Sequence, residues 1–292
     1  MGATLRLLCY SFSMNLRFSN PFKTVPDSQN TTITNTSLRT WNFRLAALHA
    51  LQGGIVLLLS SDRTFPIVAS FLTKDSLASE TTGQLVLAPA THVLFNLNLA
   101  QVVALFFFLS AIAHILMATI YRSRYESNLK NGVNRLRWFE YSLSASVMMV
   151  AIAVLSGVYD AGSLAMVFSL TAVMSLLGLI METHNYKLDK NQSKNWLSFI
   201  VGSLAGIVPW VVIAGYLVAT NVFGGGNIPT FVYWIYGTMF VLFSSFAVNM
   251  YLQYKKRGRW SDYYFGERGY MVLSLVAKTL LAWQIYFGAL RP

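Results

Sequence analysis

Lys278 lies in the middle of the apolar run YMVLSLVAKTLLAWQIYFG, too deep for its amine to reach a membrane surface easily. A lysine at that depth costs roughly 2.5 to 3.5 kcal/mol on insertion scales, so its presence asks for a partner or a use. One reading is packing: a lysine paired to a carboxylate, or one that snorkels. The other is covalent chemistry. A desolvated amine keeps its lone pair available to condense with a carbonyl, and the product is a Schiff base. Once protonated, that linkage is a fixed cation in a low-dielectric medium and requires an anion beside it. Glu140, in RLRWFEYSLSASVMM, is the one acid that reads as well inside an apolar span, whereas Asp160 and Glu182 fall at span ends and read as interfacial. Glu140 is therefore the counterion candidate, against the alternative of a helix-start acid favoured by the helix dipole.

Other polar or aromatic residues cluster by spacing around these two. Ser274 precedes Lys278 by four residues and shares its helix face, where its hydroxyl can bridge lysine and glutamate or bond back to its own helix. Trp283 follows Lys278 by five, and Trp210 follows Pro209 in AGIVPW; both could wall a flat polyene pocket or serve as core or interfacial tryptophans. His49 and His114 fall inside the first and second apolar spans, with Gln52 one turn from His49 and Ser110 one turn from His114. Facing imidazoles would form a polar cluster able to accept a proton near neutral pH, or else a pair of satisfied helix-helix hydrogen bonds. His92 and His184 sit at span ends.

The elements that must position these residues follow from run length. Of 292 residues 55% are hydrophobic and 11% charged, about half the charged share of a soluble domain. Apolar stretches of about 20 residues, each long enough to cross a bilayer, recur at 41–61, 93–120, 138–159, 162–182, 196–220, 230–254 and 268–288. Residues 1–38 are rich in Ser, Thr and Asn and read as a disordered or targeting tail, or as an upstream start before Met14; residues 39–292 form the membrane domain. The lone Cys9 excludes an intramolecular disulfide, and no Cys/His cluster has metal-ligand spacing. The expected fold class is an all-α bundle of seven transmembrane helices. The connection from Asp62 to His92 is the one long loop on its side, and Gly83 to Ala88 (GQLVLA) suggests a hairpin strand there.

Charge sets the orientation. The net charge of +11 would point to nucleic acid in a soluble protein, but here it resides in short inter-span segments and reads as topology, with no nucleic-acid partner. Of the 22 Lys and Arg, all but Arg63, Lys74, Lys278 and Arg291 lie in the tail or in the even-numbered connections. The positive-inside rule then puts the N-terminus in the cytoplasm and the C-terminus outside, in a multi-pass protein expected in the cell membrane. Trp41, Trp138, Trp196 and Trp260 near span ends read as interfacial anchors, and the sequons at Asn30 and Asn35 lie on the cytoplasmic side of this arrangement.

At these residues the sequence resembles the heliorhodopsins, a retinal-binding family with inverted topology, and is similar to them from about Trp41 to Leu290. The resemblance is carried by SLVAKTLLAWQIY, RWFEYSLSASVM, AGIVPW, FVYWIYGTMF followed by SSFAVNMYLQYKKRGRWS, and GERGYMVLSLVAK, all in matching order. It implies all-trans retinal on Lys278, Glu140 as counterion, and Ser110 and Ser274 as hydrogen-bond partners near the Schiff base. A pocket including Met174, Trp210 and Trp283 is implied too, as are a water-bearing cluster of His49, Gln52 and His114 and a homodimer contacting through a β-hairpin in the first external loop. Thr171 and Ser244 depart from asparagines found in the family, and the tail is longer than usual.

The functional expectation is a non-enzymatic light sensor that changes shape and signals to an unidentified cytoplasmic partner. The alternative is a light-driven or light-gated proton transporter. Ordinary pumps carry a second carboxylate about three turns beyond the counterion, where this chain has Ala151, which favours sensing. A third reading, a light-regulated scaffold, would act through the basic segment Lys255 to Arg259.

Overall fold

The computed structural model describes residues 33–186, 188 and 193–292. The expectations for residues 1–32 of the N-terminal tail, including Cys9, Met14 and Asn30, lie outside the described residues, as do Lys187 and Lys190, whereas residues 35–38 begin the first helix. Seven helices are long and apolar enough to cross a membrane. They are α1 (Asn35–Leu59), α3 (Leu99–Ala118), α5 (Arg135–Leu155), α6 (Ala161–Tyr186), α7 (Leu197–Phe223), α8 (Thr230–Tyr254) and α9 (Tyr263–Ile285), the last continued by a π-helical turn, Tyr286–Leu290. Two short helices, α2 (Ser76–Thr82) and α4 (Arg122–Lys130), and two strands, β1 (Thr64–Lys74) and β2 (Leu87–Asn98), lie in the connections.

Several helices start where a short polar side chain can take up an orphan N–H. Thr34 accepts from Ser37 N at the start of α1, Asn98 from Gln101 N at α3, and Asn134 from Arg137 N at α5, all at 3.1 Å. Asp160 does the same for α6 and Asp262 for α9. Caps of this kind move α1 and α9 several residues ahead of the starts expected from hydropathy alone. The second span is the larger correction: Val93 to Asn98 belong to β2, because a continuous apolar run does not distinguish strand from helix.

The bundle packs in sequence order: α1 on α3, α3 on α5, α5 on α6 and α6 on α7, with α8 on α9 and α9 closing onto α1. Much of its interior is apolar, with Phe106, Phe107, Met149, Ile152, Ile213 and Leu281 fully buried. Apolar side chains such as Leu58, Leu204, Val211 and Val241 point outward, as they do where lipid replaces water and each helix satisfies its own backbone.

β1 and β2 pair antiparallel from Thr64↔Asn98 to Lys74↔Leu87, with a bulge between Ile67 and Val68. The strand expected at Gly83 to Ala88 is mostly the approach to β2, and the hairpin is longer than its loop suggested. Its base is fastened to the bundle: Val68 N donates to Tyr159 O at 2.9 Å, Ser61 N to Leu290 O at 2.7 Å, and Ile67 is buried in the core. One end of the bundle is therefore a hairpin face. The opposite end, where α1 begins, carries α4 and the α8–α9 connection.

Candidate functional site

α5 and α9 bring Glu140 and Lys278 together in the bundle interior. The Lys278 Nζ lies 3.2 Å from Glu140 Oε1, with both side chains nearly inaccessible. The amine donates to Ser274 Oγ one turn back at 2.7 Å, and Ser110 on α3 donates to Glu140 Oε1 at 2.5 Å. The four residues joined by spacing and resemblance thus form one chain, Ser274–Lys278–Glu140–Ser110. Tyr141 presents its ring 5.4 Å from the amine.

Lys278 and Ser274 also open into a cavity of about 290 Å³ between α5, α6, α7, α8 and α9. Its walls include Met148, Met174, Trp210, Phe240 and Phe243. Trp210 is held edge-on by Tyr236, Phe240 and Phe243, with ring centroids 5.4 to 5.5 Å apart. Glycines shape the far wall: a Cβ on Gly206 would strike the Met174 sulfur, and one on Gly178 would strike the Trp138 ring. Trp283 is not among the residues lining this cavity; its ring packs on Tyr286 and Phe287. Five residues along a helix turn it about 140° from Lys278, away from the pocket.

His49 and His114 stack with centroids 5.6 Å apart and planes 7° from parallel. His114 Nδ1 is 2.7 Å from Asn42 Oδ1, a partner that sequence spacing did not single out. Both ring nitrogens of His49 and the Gln52 oxygen are buried without a protein partner.

Toward the N-terminal face the structure holds a site the sequence reading missed. Arg137 pairs with Glu182 through one terminal nitrogen and with Glu267 through the other, all three residues being at most 3% exposed. Glu182 further accepts from Asn134 N at 2.9 Å, Trp138 Nε1 at 2.7 Å and Tyr263 Oη at 3.1 Å. Glu267 accepts from Asn134 Nδ2 at 2.7 Å and Tyr125 Oη at 3.3 Å. Glu182 is therefore not interfacial, and neither is Trp138. Arg137 stands one turn before Glu140 and Glu267 three turns before Lys278; those spacings were the available signal.

A family model described as Heliorhodopsin matches residues 38–290. The chain belongs to the heliorhodopsin family. A search of curated proteins finds no match. Membership makes the chain a multi-pass retinal-binding rhodopsin, of a family that is generally non-enzymatic. The residues present fit a retinal: an amine with a neighbouring carboxylate lines an apolar, aromatic-walled cavity, which Met174 and Trp138 narrow where they pack against Gly206 and Gly178.

Proposed function

We propose that this heliorhodopsin is a light sensor that binds all-trans retinal through Lys278 as a protonated Schiff base, with Glu140 as counterion. The observation that carries the reading is the buried Lys278–Glu140 pair, whose lysine lines the apolar cavity. Retinal, when bound, supplies absorption of visible light and isomerisation about a double bond. Glu140 holds the positive charge at the Lys278 nitrogen. Ser110 and Ser274 orient the carboxylate and the nitrogen, and Met174 and Trp210 confine the chain of the chromophore. The partnerless nitrogens of His49, beside His114 and Gln52, support a hydrated cluster able to take up a proton from that nitrogen. The excess of Lys and Arg at the N-terminal face supports a cytoplasmic N-terminus. Exposed Phe71, Leu72, Val93 and Phe95 on the hairpin support a homodimer contact there. Output would go to a cytoplasmic partner.

A second reading, a light-driven or light-gated proton transporter, gains from Glu182 and Glu267, two buried acids on the side of Glu140 toward the N-terminal face. Illumination of voltage-clamped cells expressing the protein separates the two. The sensor reading expects a visible pigment with no photocurrent; a reproducible current that disappears in Lys278→Ala would replace it with transport.

A further inference from the structure

We infer that Glu182 and Glu267 share one proton in the dark, so that the Arg137 cluster is a proton-holding site in exchange with the Lys278–Glu140 site. The argument begins with charge. Two carboxylates converge on one guanidinium, and among the described residues Arg137 is the only cation within ion-pair distance of either. A guanidinium does not give up its proton. Fully ionised, the cluster would bury an uncompensated negative charge, which a low-dielectric interior strongly disfavours. The remaining titratable groups that face it, Tyr125, Tyr141, Tyr254, Tyr263 and Tyr270, are phenols that bring no positive charge. Lys278 does not supply the missing charge either, because Glu140 already balances it. One proton on the carboxylate pair brings the cluster to neutrality, and because the two acids are coupled through Arg137 the proton belongs to the pair rather than to either residue.

Geometry connects this site to the amine. A small cavity of about 10 Å³ is bordered by Glu140 and His114 on one side and by Asn134, Arg137 and Glu267 on the other, about the size that admits a single water. Asn42 Oδ1 only accepts, so at 2.7 Å the His114 Nδ1 carries its hydrogen and Nε2 keeps the lone pair. Exchange is then a proton transfer: the O–H bond of the acid breaks, an N–H bond forms at His114 Nε2, and the acid remains as a carboxylate against Arg137. In the proposed orientation the site lies between the chromophore nitrogen and the cytoplasm, on the opposite side of Glu140 from Ala151.

The exchange rests on the retinal reading, and the test separates the two. Full-length protein is reconstituted with all-trans retinal and its light-minus-dark infrared spectrum recorded in H2O and D2O. A visible band that bleaches on illumination establishes the pigment; its absence would reject the retinal reading and not this one. With pigment present, the expected result is a light-induced change in a protonated-carboxyl C=O band that shifts in D2O. The band shifts again with glutamate carrying 13C in the side-chain carboxyl, changes in Glu182→Gln and Glu267→Gln, and persists in Glu140→Gln. The labelled wild type keeps the test decisive if a glutamine variant fails to fold. No such band in the pigmented wild type, or a band lost in Glu140→Gln alone, would overturn the proposal.

Discussion

Ser110 and Ser274, on different helices, each bond one end of the same ion pair: Ser110 the Glu140 carboxylate at 2.5 Å and Ser274 the Lys278 amine at 2.7 Å. The two serines fix the directions of the carboxylate and the amine, and among the residues lining the apolar cavity Lys278 is the one amine that can form an imine. Lys278→Ala supplied with all-trans retinal should show no red-shifted visible band, whereas wild type forms a pigment. Absorption spectra of the two purified proteins decide it; colour surviving in the variant would remove Lys278 from the site.

With retinal on Lys278, as proposed, Glu140 would sit against the nitrogen end of the chromophore. An anion there stabilises positive charge localised at the nitrogen, which is greater in the ground state than after excitation moves charge along the polyene, so it widens the optical gap. Glu140→Gln should shift the dark absorption maximum to longer wavelength. Ser110→Ala, which removes only a bond to that carboxylate, should produce a smaller shift. Equal spectra for all three proteins would point to a different counterion.

Gly206 faces the Met174 side chain across the α6–α7 contact, at the wall of the cavity. The atom in the way is the flexible end of a methionine, so Gly206→Ala can be accommodated if Met174 swings, and the space available to it is the cavity. The variant should therefore fold but bind retinal more slowly and to a lower final absorbance. Adding Met174→Ala should restore much of the binding. Restoration by the pair measures coupling that neither single change reveals; two additive losses would place the methionine elsewhere.

Asp160 caps α6 on the hairpin face, beside the point where Val68 joins Tyr159. The Ser163 backbone N–H, with help from the Ser70 hydroxyl, holds its carboxyl below the ordinary aspartate range. A depressed folded value means that the cap contributes fully above the unfolded value of about 3.9 and is lost as pH falls through the lower folded value. Asp160→Ala should cost about 1 kcal/mol at neutral pH. Thermal loss of the visible band, followed for both proteins from neutral to acid pH, should show the gap narrowing only below roughly pH 4. A gap independent of pH would mean that the carboxylate is not what stabilises this end.

How much of this was legible depends on where each charge sat. Lys278 and Glu140 stand out because a charge inside an apolar run has no inexpensive explanation, and Ser274 follows from helical spacing alone. Arg137, Glu182 and Glu267 lie within a turn or two of span ends, where a buried charge and a topology signal look alike in one dimension. Their burial is a tertiary fact, made by α4 laying Tyr125 over the cluster and by α9 starting early enough to include Tyr263. The helix count and the hairpin's location were readable from run length, but the length of β2 was not, since its residues are as apolar as the helix they enter. Proximity in sequence, as of Trp283 to Lys278, says nothing of helix face until the turn angle is applied.

Gly178 makes the opposite case from Gly206. The obstacle to its Cβ is the Trp138 ring, with Cη2 at 2.6 Å and Cε3 at 2.7 Å. That ring cannot swing freely, because its Nε1 donates to Glu182 at 2.7 Å and Tyr270 and Tyr141 both pack edge-on against it. Gly178→Ala must therefore push α5 and α6 apart or pull the indole off Glu182, and overpacking of this kind costs about 1–3 kcal/mol. The expected outcome is a pigment that forms at reduced yield and bleaches at lower temperature than wild type. Trp138→Phe in the same background withdraws the outer indole atoms Cζ3 and Cη2 but loses the bond to Glu182, and should recover less than a shorter aliphatic side chain. Trp138→Leu removes the colliding atoms and should recover part of the thermal stability. Measured bleaching temperatures for the three variants test the order, and wild-type stability in Gly178→Ala would show that the α5–α6 contact is looser than the Trp138–Glu182 bond requires.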